Sequence, residues 1–580
     1  MYFFPDIADK SPICLNLYLL ILSYHNSHFL NQQIKFTTMK KIITSCLALC
    51  LMGLTTILTA QNTVYVSTSG SDSNDGLSAL TPVRTFAYAV SIANAGTNFN
   101  EIVLAPGTYE ETVTADLSTA NCPNLLIRGE SAKTTIIKRT GTGRIINTLS
   151  NYLTSSNALT IRDVTLRDAN VTNLQGAAIY FSRTGNMSSN LTLERVIFEN
   201  NTITSGAATS NGGAFFFNGN QLTVTDCYFK NNKVLKSGTN NPQGGAVTIA
   251  TLASTDGLFA SFTNTTFEGN EAYTSGGALF FNNVGARLVT SPNSYVNFFN
   301  CTFLNNKATN TGTTGGAVNL TSGATATFHI MNYKIVNCTF VNNSSEGTSS
   351  RNTLMLNGTG YNSATLVNNL IIPLSSASTG DVWGGNQPTG EKLTGSNNLI
   401  GGSITTAYNT SSYFTTDAVA NNNLIGWRED FFINSTLTDN STETAFAVPY
   451  LELTTGSKAI NFGVSSYGDP NIVPATDLRG VAAYGAAKDL GAFEFNSPPT
   501  ATTTLSGNEQ INIYPNPVQS VIHLDAKEIT KAEIFTLNGM KIQSVKNTQG
   551  GIDASGLTPG MYLIHVYTET GIFTKSFVKL

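Results

Sequence analysis

The sequence predicts an all-β chain in which a long solenoid of stacked short strands precedes a small β-sandwich. A short phrase recurs along residues 159–372, and self-similarity with such a period is typical of solenoids and other repeat arrays. Residues 511–580 instead contain several short strand patterns and a two-residue Asn-Gly hairpin signal, which is typical of a small sandwich.

The repeated phrase consists of alternating apolar residues, an Asp or Asn, an aromatic residue and a further Asn. Clear copies occupy residues 222–232, 296–306 and 335–343, and the Asp or Asn recurs every 31 to 38 residues. The apolar residues change parity at this position, whereas a continuous strand keeps one face on one parity. We therefore predict a corner in each coil, formed by a residue type that tolerates left-handed backbone angles. The predicted corner ladder is Asp163, Asp226, Asn264, Asn300, Asn337 and Asn369.

A second marker, Gly-Gly-Ala, lies between the copies and is followed by apolar residues, as in 212–217 and 276–281. This order indicates a further strand that is entered from a glycine turn. Gly-Gly-Ala together with Phe-x-x-Asn resembles the polymorphic outer membrane protein repeat. That family, like the pectin-lyase-like proteins, implies a right-handed parallel β-helix, which gives the predicted solenoid its hand. The five Phe-x-x-Asn copies are 198–201, 229–232, 267–270, 303–306 and 340–343.

The composition excludes several classes of protein. Only 12% of the 580 residues are charged and the net charge is −4, so the chain lacks the basic footprint of a nucleic-acid-binding protein. A mean hydropathy of −0.01 argues against a membrane-spanning bundle. We therefore predict no nucleic-acid partner and no transmembrane segment in the mature chain.

The N-terminal region predicts export. Residues 1–38 form an upstream extension, and residues 39–60 have the basic start and apolar run of a signal peptide, with cleavage between Ala60 and Gln61. Cys46 imitates a lipoprotein site, but only two apolar residues separate its box from Lys41, which argues against lipidation.

Residues 61–158 are predicted to form the N-terminal cap and the first coils. A strand near Val64, a helix ending near Ala95 and a Pro-Gly-Thr-Tyr turn ending at Tyr109 resemble the start of secreted pectin-lyase-like β-helices. A helix there would cover the apolar end of the stack. Asp72 and Asp75 could bind calcium, although Asp in a Gly-Ser-Asn loop is typical of a turn.

The coils are predicted to occupy residues 159–450. Residues 451–495 resemble the closing segment of secreted β-helix proteins and are predicted to form the C-terminal cap, with their acidic residues in turns. Residues 496–510, rich in Pro, Thr and Ser, form the predicted linker.

Residues 511–580 resemble the C-terminal sorting domain of the type IX (Por) secretion system. The resemblance implies the secretion machinery as a partner, and a secreted or cell-surface location, associated with the outer membrane, in a Gram-negative bacterium. The motif residues are Tyr514, Pro515, Asn516, Pro517, Gly539, Gly560 and Tyr562.

Three cysteines, Cys227, Cys301 and Cys338, occupy the same place in their repeats and should point inward. Buried thiols are the simpler interpretation, and a disulfide between Cys301 and Cys338 is the alternative that an extracytoplasmic location permits. The histidines and cysteines do not have the spacing of a zinc site.

The repeats contain no clear catalytic set. A glycosidase needs two carboxylates a few ångströms apart, and a lyase needs a base with a means of neutralising a uronate. Between Asp226 and Asp381 the acidic residues are Asp256, Glu268, Glu271 and Glu346, and none aligns with another one coil away. Lys230, Lys233 and Lys236, near Asp226, are the best candidates for a base. The favoured hypothesis is a non-catalytic adhesin or glycan-binding surface protein that binds an extracellular glycan or a host or cell-surface ligand, with no catalytic residue and no cofactor apart from possible calcium. The alternative is a polysaccharide lyase or glycoside hydrolase of the pectin-lyase-like fold.

Overall fold

The fold is taken from a computed structural model of the chain, which divides into two compact units, residues 1–497 and 498–580. The signal peptide with Ala60 and Gln61, the linker, Cys122 and Gly539 lie outside the described residues. The structure describes residues 62–96, 99–118, 124–148, 157–182, 189–206, 210–251, 257–283, 294–310, 315–322, 331–346, 353–358, 362–372, 382–384, 393–401, 404–406, 421–425, 433–468, 470–483, 485, 487–495, 512–525, 529–536, 541–546, 551–568 and 571–580.

The first unit is a solenoid in which the chain passes in turn through four parallel sheets, here called A, B, C and D. Every strand pair in these sheets is parallel. Successive coils add one strand to each of sheets A, B and D, as the repeat predicts, whereas only the coils between Asn170 and Ser345 add one to sheet C.

Sheet A contains Asn62–Val66, Phe99–Leu104, Asn124–Arg128, Asn157–Arg162, Ser189–Glu194, Gln221–Thr225, Phe259–Thr263, Ser294–Phe299, Met331–Val336, Asn362–Val367 and Leu393–Ser396. Sheet B contains Gly107–Glu111, Thr135–Arg139, Thr165–Arg167, Ile197–Glu199, Tyr228–Lys230, Thr266–Glu268, Thr302–Leu304, Thr339–Val341, Leu370–Ile372, Leu399–Ile400 and Leu424–Ile425. Sheet C contains Asn170–Thr172, Thr202–Ser205, Lys233–Lys236, Glu271–Ala272, Lys307–Ala308 and Ser344–Ser345. Sheet D contains Ala115–Leu117, Ile146–Thr148, Ile179–Ser182, Phe215–Asn218, Val247–Thr251, Leu279–Asn283, Val318–Ser322, Leu354–Gly358, Val382–Gly384 and Ile404–Thr406.

One column of the solenoid core consists of identical residues stacked on one another. The phenylalanines of the five Phe-x-x-Asn copies point inward from sheet B, and each ring stacks on the next with centroids 4.6 to 4.8 Å apart. This distance matches the strand spacing of about 4.8 Å, because in-register parallel strands place equivalent side chains directly above one another. The stacked rings are Phe198, Phe229, Phe267, Phe303 and Phe340.

The asparagines of the same copies form a buried ladder beside the rings. Asn270 is representative: its Nδ2 donates to Oδ1 of Asn306 at 2.9 Å and to the carbonyl of Phe229 at 3.0 Å. Its own Oδ1 accepts from the backbone N–H and the Nδ2 of Asn232. Every polar atom of the amide is therefore satisfied, which makes its complete burial tolerable. The ladder consists of Asn201, Asn232, Asn270, Asn306 and Asn343.

From Asp163 onward, the corner between sheets A and B has a positive φ in each described coil, 58° at Asp163 and 53° at Asn300, for example. The prediction for Asn369 is wrong by one position, because the positive φ of that coil, 56°, belongs to Asn368. Asn369 instead follows the corner, in register with the buried Cys338, whose N–H donates to its Oδ1 at 3.0 Å. Because Asn368 and Asn369 are adjacent and have the same side chain, the sequence is consistent with a corner at either position.

The Gly-Gly pairs meet two different requirements. Gly276 has a φ of 65°, which favours glycine at this turn, and the strand Leu279–Asn283 follows it. A Cβ on Gly277 would lie 2.1 Å from the carbonyl oxygen of Gly316 in the next coil. The second glycine is therefore required by the close approach of stacked backbones.

The start of the solenoid is covered by the helix α1, Phe86–Ala95, as predicted. The helix buries Phe86, Ala89, Val90 and Ala93 in the solenoid core. Glu111, which points inward from sheet B, accepts from the N–H of Phe86 at 2.7 Å at the helix N-terminus. A carboxylate is favourable there because the first helical N–H groups lack partners within the helix.

Residues 433–495 pack along the side of the solenoid, and we call this segment the lateral strap. It was predicted in part as an end cap, but Leu451 packs on Leu304 and Val341, which lie on the outer face of sheet B. The amide N–H of Ala492 likewise donates to Oγ1 of Thr339 at 2.9 Å. The strap therefore covers the outer face of several successive strands of sheet B. Through Val473, which packs with Val336 and Val367, it also covers part of the outer face of sheet A.

The second unit contains two antiparallel sheets that share one core, which agrees with the predicted sandwich. One sheet contains Asn512–Tyr514, Val521–Asp525 and Ile552–Asp553. The other contains Ile529–Thr536, Lys541–Val545, Gly560–Thr568 and Gly571–Lys579. Across the described part of the chain, no helix has the length and hydrophobicity that a membrane span requires.

Candidate functional site

The corner residues are bonded along the helix axis. Nδ2 of Asn264 donates to Oδ1 of Asp226 at 3.0 Å, and Nδ2 of Asn300 donates to Oδ1 of Asn264 at 3.1 Å. At the start of the column Arg195 binds both carboxylate oxygens of Asp163, at 2.6 and 2.9 Å. These side chains support the backbone corners, and their bonding leaves them poorly suited to contact a ligand.

The predicted candidate bases have partners on neighbouring coils. Lys233 forms an ion pair of 3.5 Å with Glu271, its register partner in sheet C. Lys236 lies over the ring of Tyr273, with Nζ 4.4 Å from the centroid. Both lysines therefore already have a structural contact on a neighbouring coil.

The third candidate, Lys230, belongs to a column of alternating charge on the outer face of sheet B. Arg167, Glu199, Lys230 and Glu268 occupy equivalent positions of four successive strands. Arg167 pairs with Glu199 at 3.5 Å. Lys230 lies between Glu199 and Glu268, which are therefore two strand spacings, about 10 Å, apart. Opposite charges on adjacent strands stabilise a sheet, so the alternation has a sufficient structural reason. The sequence alone did not reveal this column, because its members align only once the strand register is known.

Tyr228 and Glu268 lie on adjacent strands of sheet B, and the Tyr228 hydroxyl donates to the carboxylate of Glu268. Burial, which leaves Tyr228 only 8% exposed, and this bond raise the pKa of the phenol. A raised pKa opposes formation of a phenolate, so Tyr228 is a poor base at neutral pH.

The acidic residues of the strap form a buried network. Asp477 accepts from the backbone N–H groups of Arg479 and Val481, and its carboxylate also pairs with the Arg479 guanidinium at 2.7 Å. Glu494 accepts from the N–H of Asp489 at 3.1 Å and lies 3.5 Å from Nζ of the buried Lys488. Burial raises the pKa of Glu494 to about 7. Because Asp477, Asp489 and Glu494 are at most 3% exposed, these carboxylates organise the strap and do not face a substrate.

The two aspartates predicted as possible calcium ligands bond to their own loop. Asp72 accepts from the N–H groups of Arg84 and Thr85 at 2.8 and 3.0 Å, and Asp75 accepts from the N–H of Leu77 at 3.1 Å. Within the described residues, His, Cys, Asp and Glu do not converge in groups of three or more that could hold a metal ion. Calcium binding here stays a prediction.

The same loop borders an open cleft of about 730 Å³ near the start of the solenoid. Ser67, Asn74, Leu80 and Arg128 are among its lining residues. The guanidinium of Arg128 is already paired with Glu101 at 2.6 Å, so it is not a free anion-binding group.

The three aligned cysteines are free and completely buried, which confirms that they point inward. The disulfide between Cys301 and Cys338 is not formed in this structure. Burial raises the pKa of Cys227 and Cys301, which keeps these thiols protonated and unreactive.

The sorting motif organises the edge of the second unit. Oδ1 of Asn516 accepts from the N–H of Val578 at 2.9 Å, so the Pro-flanked turn holds the last strand. The hydroxyl of Tyr562 donates to the carbonyl of Thr558 at 2.8 Å, and its ring stacks on Phe577. Tyr514 is 53% exposed.

One surface of the solenoid combines exposure with a lack of charge. Three adjacent strands of sheet A, Gln221–Thr225, Phe259–Thr263 and Ser294–Phe299, alternate buried apolar residues with outward uncharged ones. Phe259 is 43% exposed and its ring lies 6.5 Å from that of Tyr295. We call this surface the neutral face; its outward residues are Gln221, Thr223, Thr225, Phe259, Ser261, Thr263, Tyr295, Asn297 and Phe299. Of these, Asn297 is only 6% exposed, and Phe299 packs against the cluster that contains Val473 of the lateral strap.

Comparison with known families gives a match to part of each unit. Residues 152–371 match the family model described as a right handed beta helix region. This segment is a right-handed β-helix. Residues 512–580 match the family model of a secretion system C-terminal sorting domain, which indicates that the β-helix is exported. Both matches confirm the corresponding sequence predictions, whereas the polymorphic outer membrane protein repeat stays a prediction.

Two solved structures are similar to the β-helix. The crystal structure of pectate lyase Pel9A is 15% identical, with 75% of this chain and 96% of that chain covered and a TM-score of 0.33. A rhamnogalacturonan lyase is 13% identical, with 68% and 97% covered and a TM-score of 0.28. Both TM-scores are too low to inform the activity of this β-helix. No curated protein sequence matches the chain.

Proposed function

We propose that the exported β-helix is a non-catalytic surface protein, an adhesin or glycan-binding protein, that binds an extracellular ligand through uncharged side chains. The observation that carries this proposal is the contrast between two surfaces. Charged residues of sheets B and C pair across coils, as Arg167 does with Glu199 and Lys233 with Glu271, whereas the neutral face presents exposed amide and aromatic groups such as Gln221 and Phe259. Ligand recognition by uncharged groups requires no ionised side chain, while acid–base catalysis does.

The sorting domain supports delivery to the exterior. We infer that the type IX machinery carries the chain across the outer membrane of a Gram-negative bacterium after removal of a signal peptide. To test this, residues 511–580 are deleted and surface exposure is measured in a bacterium with this secretion system. Retention inside the cell is expected for the truncated chain, and unchanged export would refute this part of the proposal.

The function itself is tested with the purified protein on a panel of neutral and uronate polysaccharides, with and without calcium. Binding is followed by affinity electrophoresis, and turnover by new reducing ends and by the ultraviolet absorbance of unsaturated products. We expect binding without turnover. Products of either kind would establish the alternative, a polysaccharide lyase or glycoside hydrolase, and would make Lys230 the first residue to replace.

A further inference from the structure

The lateral strap is attached to the solenoid next to its own buried carboxylates. We propose that Asp477, Asp489 and Glu494 form a pH-sensitive clamp, which holds the strap on the β-helix and releases it as the pH rises. Release is local: the coils beneath the strap stay folded while part of their outer face becomes exposed. The clamp is independent of the ligand that the neutral face binds.

The segment between Asp489 and Glu494 contacts the solenoid directly. The N–H of Gly491 donates to the carbonyl of Asn368 at 2.8 Å, and the next residue, Ala492, also bonds to a solenoid strand. A shift of either carboxylate therefore moves the backbone that attaches the strap.

Asp477 and Asp489 lie beside two further attachment points. The carbonyl of Thr476, the residue before Asp477, accepts from Nδ2 of the corner residue Asn300 at 2.9 Å. Oδ1 of Asp489 accepts from the N–H of Asn461 at 2.7 Å, and the carbonyl of the following residue accepts from the corner of another coil. The three carboxylates thus organise the parts of the strap that bond to the β-helix.

This cluster contains more acids than bases. Its three carboxylates face two cations, Arg479 and Lys488, so one negative charge is in excess when all five groups are ionised. Arg479 is bound to Asp477 at 2.7 Å, whereas Lys488 lies 3.5 Å from Glu494. In the described part of the chain, Asp489 has only backbone N–H groups as hydrogen-bond partners. Because the three carboxylates are at most 3% exposed, water does not compensate the excess charge.

A proton on Glu494 removes the excess charge. Burial raises the pKa of Glu494 to about 7, and the two neighbouring aspartates act in the same direction, while Lys488 opposes them. Among the described residues, the solenoid side chains that bond to this part of the strap, such as Thr339 and Asn368, are uncharged. These contacts therefore do not compensate the charge that appears when Glu494 loses its proton.

The direction of the response follows from the two pKa values of Glu494. The carboxyl has a pKa of 4.5 in the unfolded chain and about 7 in the docked strap, so docking is coupled to uptake of a proton. This contribution to docking is complete below pH 4.5 and is lost as the pH rises towards about 7. Release uncovers Leu370, which packs in one cluster with Leu490 and Phe493 of the strap.

Hydrogen exchange of the full chain, measured by mass spectrometry between about pH 5 and 8, tests the clamp. Protection factors, which correct for the intrinsic pH dependence of exchange, are compared for residues 488–495 of the strap and residues 189–199 of an earlier coil. We expect the protection of the strap to decrease at least about tenfold over this range and to lie below that of the coil at the upper end. Glu494→Gln, which is neutral at every pH, should keep its protection, and the exposed Glu443→Gln should follow the parent protein.

Equal protection of strap and coil at every pH would overturn the proposal, because the strap would then open only when the whole unit unfolds. Strap protection that does not change with pH in the parent protein would overturn it as well. Both comparisons use the unchanged chain, so they are decisive even if Glu494→Gln does not fold. A folded Glu494→Gln variant that loses protection as the parent does would exclude Glu494 as the controlling group and contradict the clamp.

Discussion

Thr266 and Pro449 are separated by 183 positions in the chain, and the Thr266 hydroxyl donates to the Pro449 carbonyl at 2.6 Å. This bond joins sheet B to the lateral strap. The outer face of sheet B changes from charged to apolar residues along the helix axis. The column that contains Lys230 and Glu268 continues as Leu304, Val341 and Ile372 in the coils that the strap covers. The strap therefore shields an apolar surface that would otherwise be exposed to solvent.

We predict that Leu451→Ala destabilises the strap. Leu451 is 1% exposed and packs on Leu304 and Val341, and loss of such a side chain typically costs about 2 to 3 kcal/mol. Limited proteolysis should detect faster cleavage near Glu443, which is exposed. The control is Leu80→Ala, whose side chain is 93% exposed and should have little effect. Equal cleavage rates in the two variants would show that Leu451 does not hold the strap.

The buried asparagine ladder should be the most sensitive polar element of the fold. Asn270→Ala removes four hydrogen bonds, and the buried backbone N–H of Asn232 loses its acceptor, although Oδ1 of Asn306 keeps the backbone N–H of residue 270 as a donor. We expect a loss of about 3 kcal/mol or more in the free energy of unfolding. Urea unfolding of Asn190→Ala, at a half-buried outward position, provides the comparison and should show a loss below about 0.5 kcal/mol. Similar midpoints for both variants would contradict this prediction.

The second corner, between sheets B and C, allows a test of backbone strain alone. Asn305 is exposed and has a φ of 55°. Asn305→Ala should cost about 1 to 2 kcal/mol because a Cβ is unfavourable in the left-handed region, whereas Asn305→Gly should be close to neutral. Thermal unfolding of the two variants measures the difference. If alanine were tolerated as well as glycine, the corner would not depend on residue type.

Glu494 should make the stability of the β-helix depend on pH. Burial raises its pKa from 4.5 to about 7, so the folded protein binds this proton more tightly than the unfolded chain does. The contribution to stability is therefore complete below pH 4.5 and is lost as the pH rises towards about 7. Burial also raises the pKa of Asp489, so this group changes the stability in the same direction.

The measurement is the free energy of unfolding at several pH values for Glu494→Gln, with the exposed Glu443→Gln as the matched control. The first variant should show a flatter profile between about pH 4.5 and 7, and the control should follow the parent protein. An unchanged slope in Glu494→Gln would assign the pH dependence to other groups.

The sequence predicts most of the β-helix because successive coils have the same types of residue at equivalent positions. Parity change at Asp226 and Asn300 predicts the corners, and the spacing of Phe229 from Asn232 predicts that equivalent residues stack. The register fails locally at Asn368 and Asn369, where two adjacent residues have the same side chain and only the stacking of the next coil distinguishes them.

The candidate site was harder to predict than the fold. The ion pair of Lys233 with Glu271 and the neutral face around Phe259 exist only between coils, so they require the register of residues more than 30 positions apart. The lateral strap left a signal that could have been used: the change from Glu268 to Leu304 at one position of the repeat indicates a cover.

The return of the strap along the outer face of sheet B also constrains the order of folding. Each coil can add to the one before it, whereas the Thr266–Pro449 bond requires a segment that lies 183 residues further along the chain. A chain whose coils form before the strap docks exposes the apolar side chains of Leu304 and Val341 to solvent. Docking of the strap is therefore the step that closes this surface to intermolecular association.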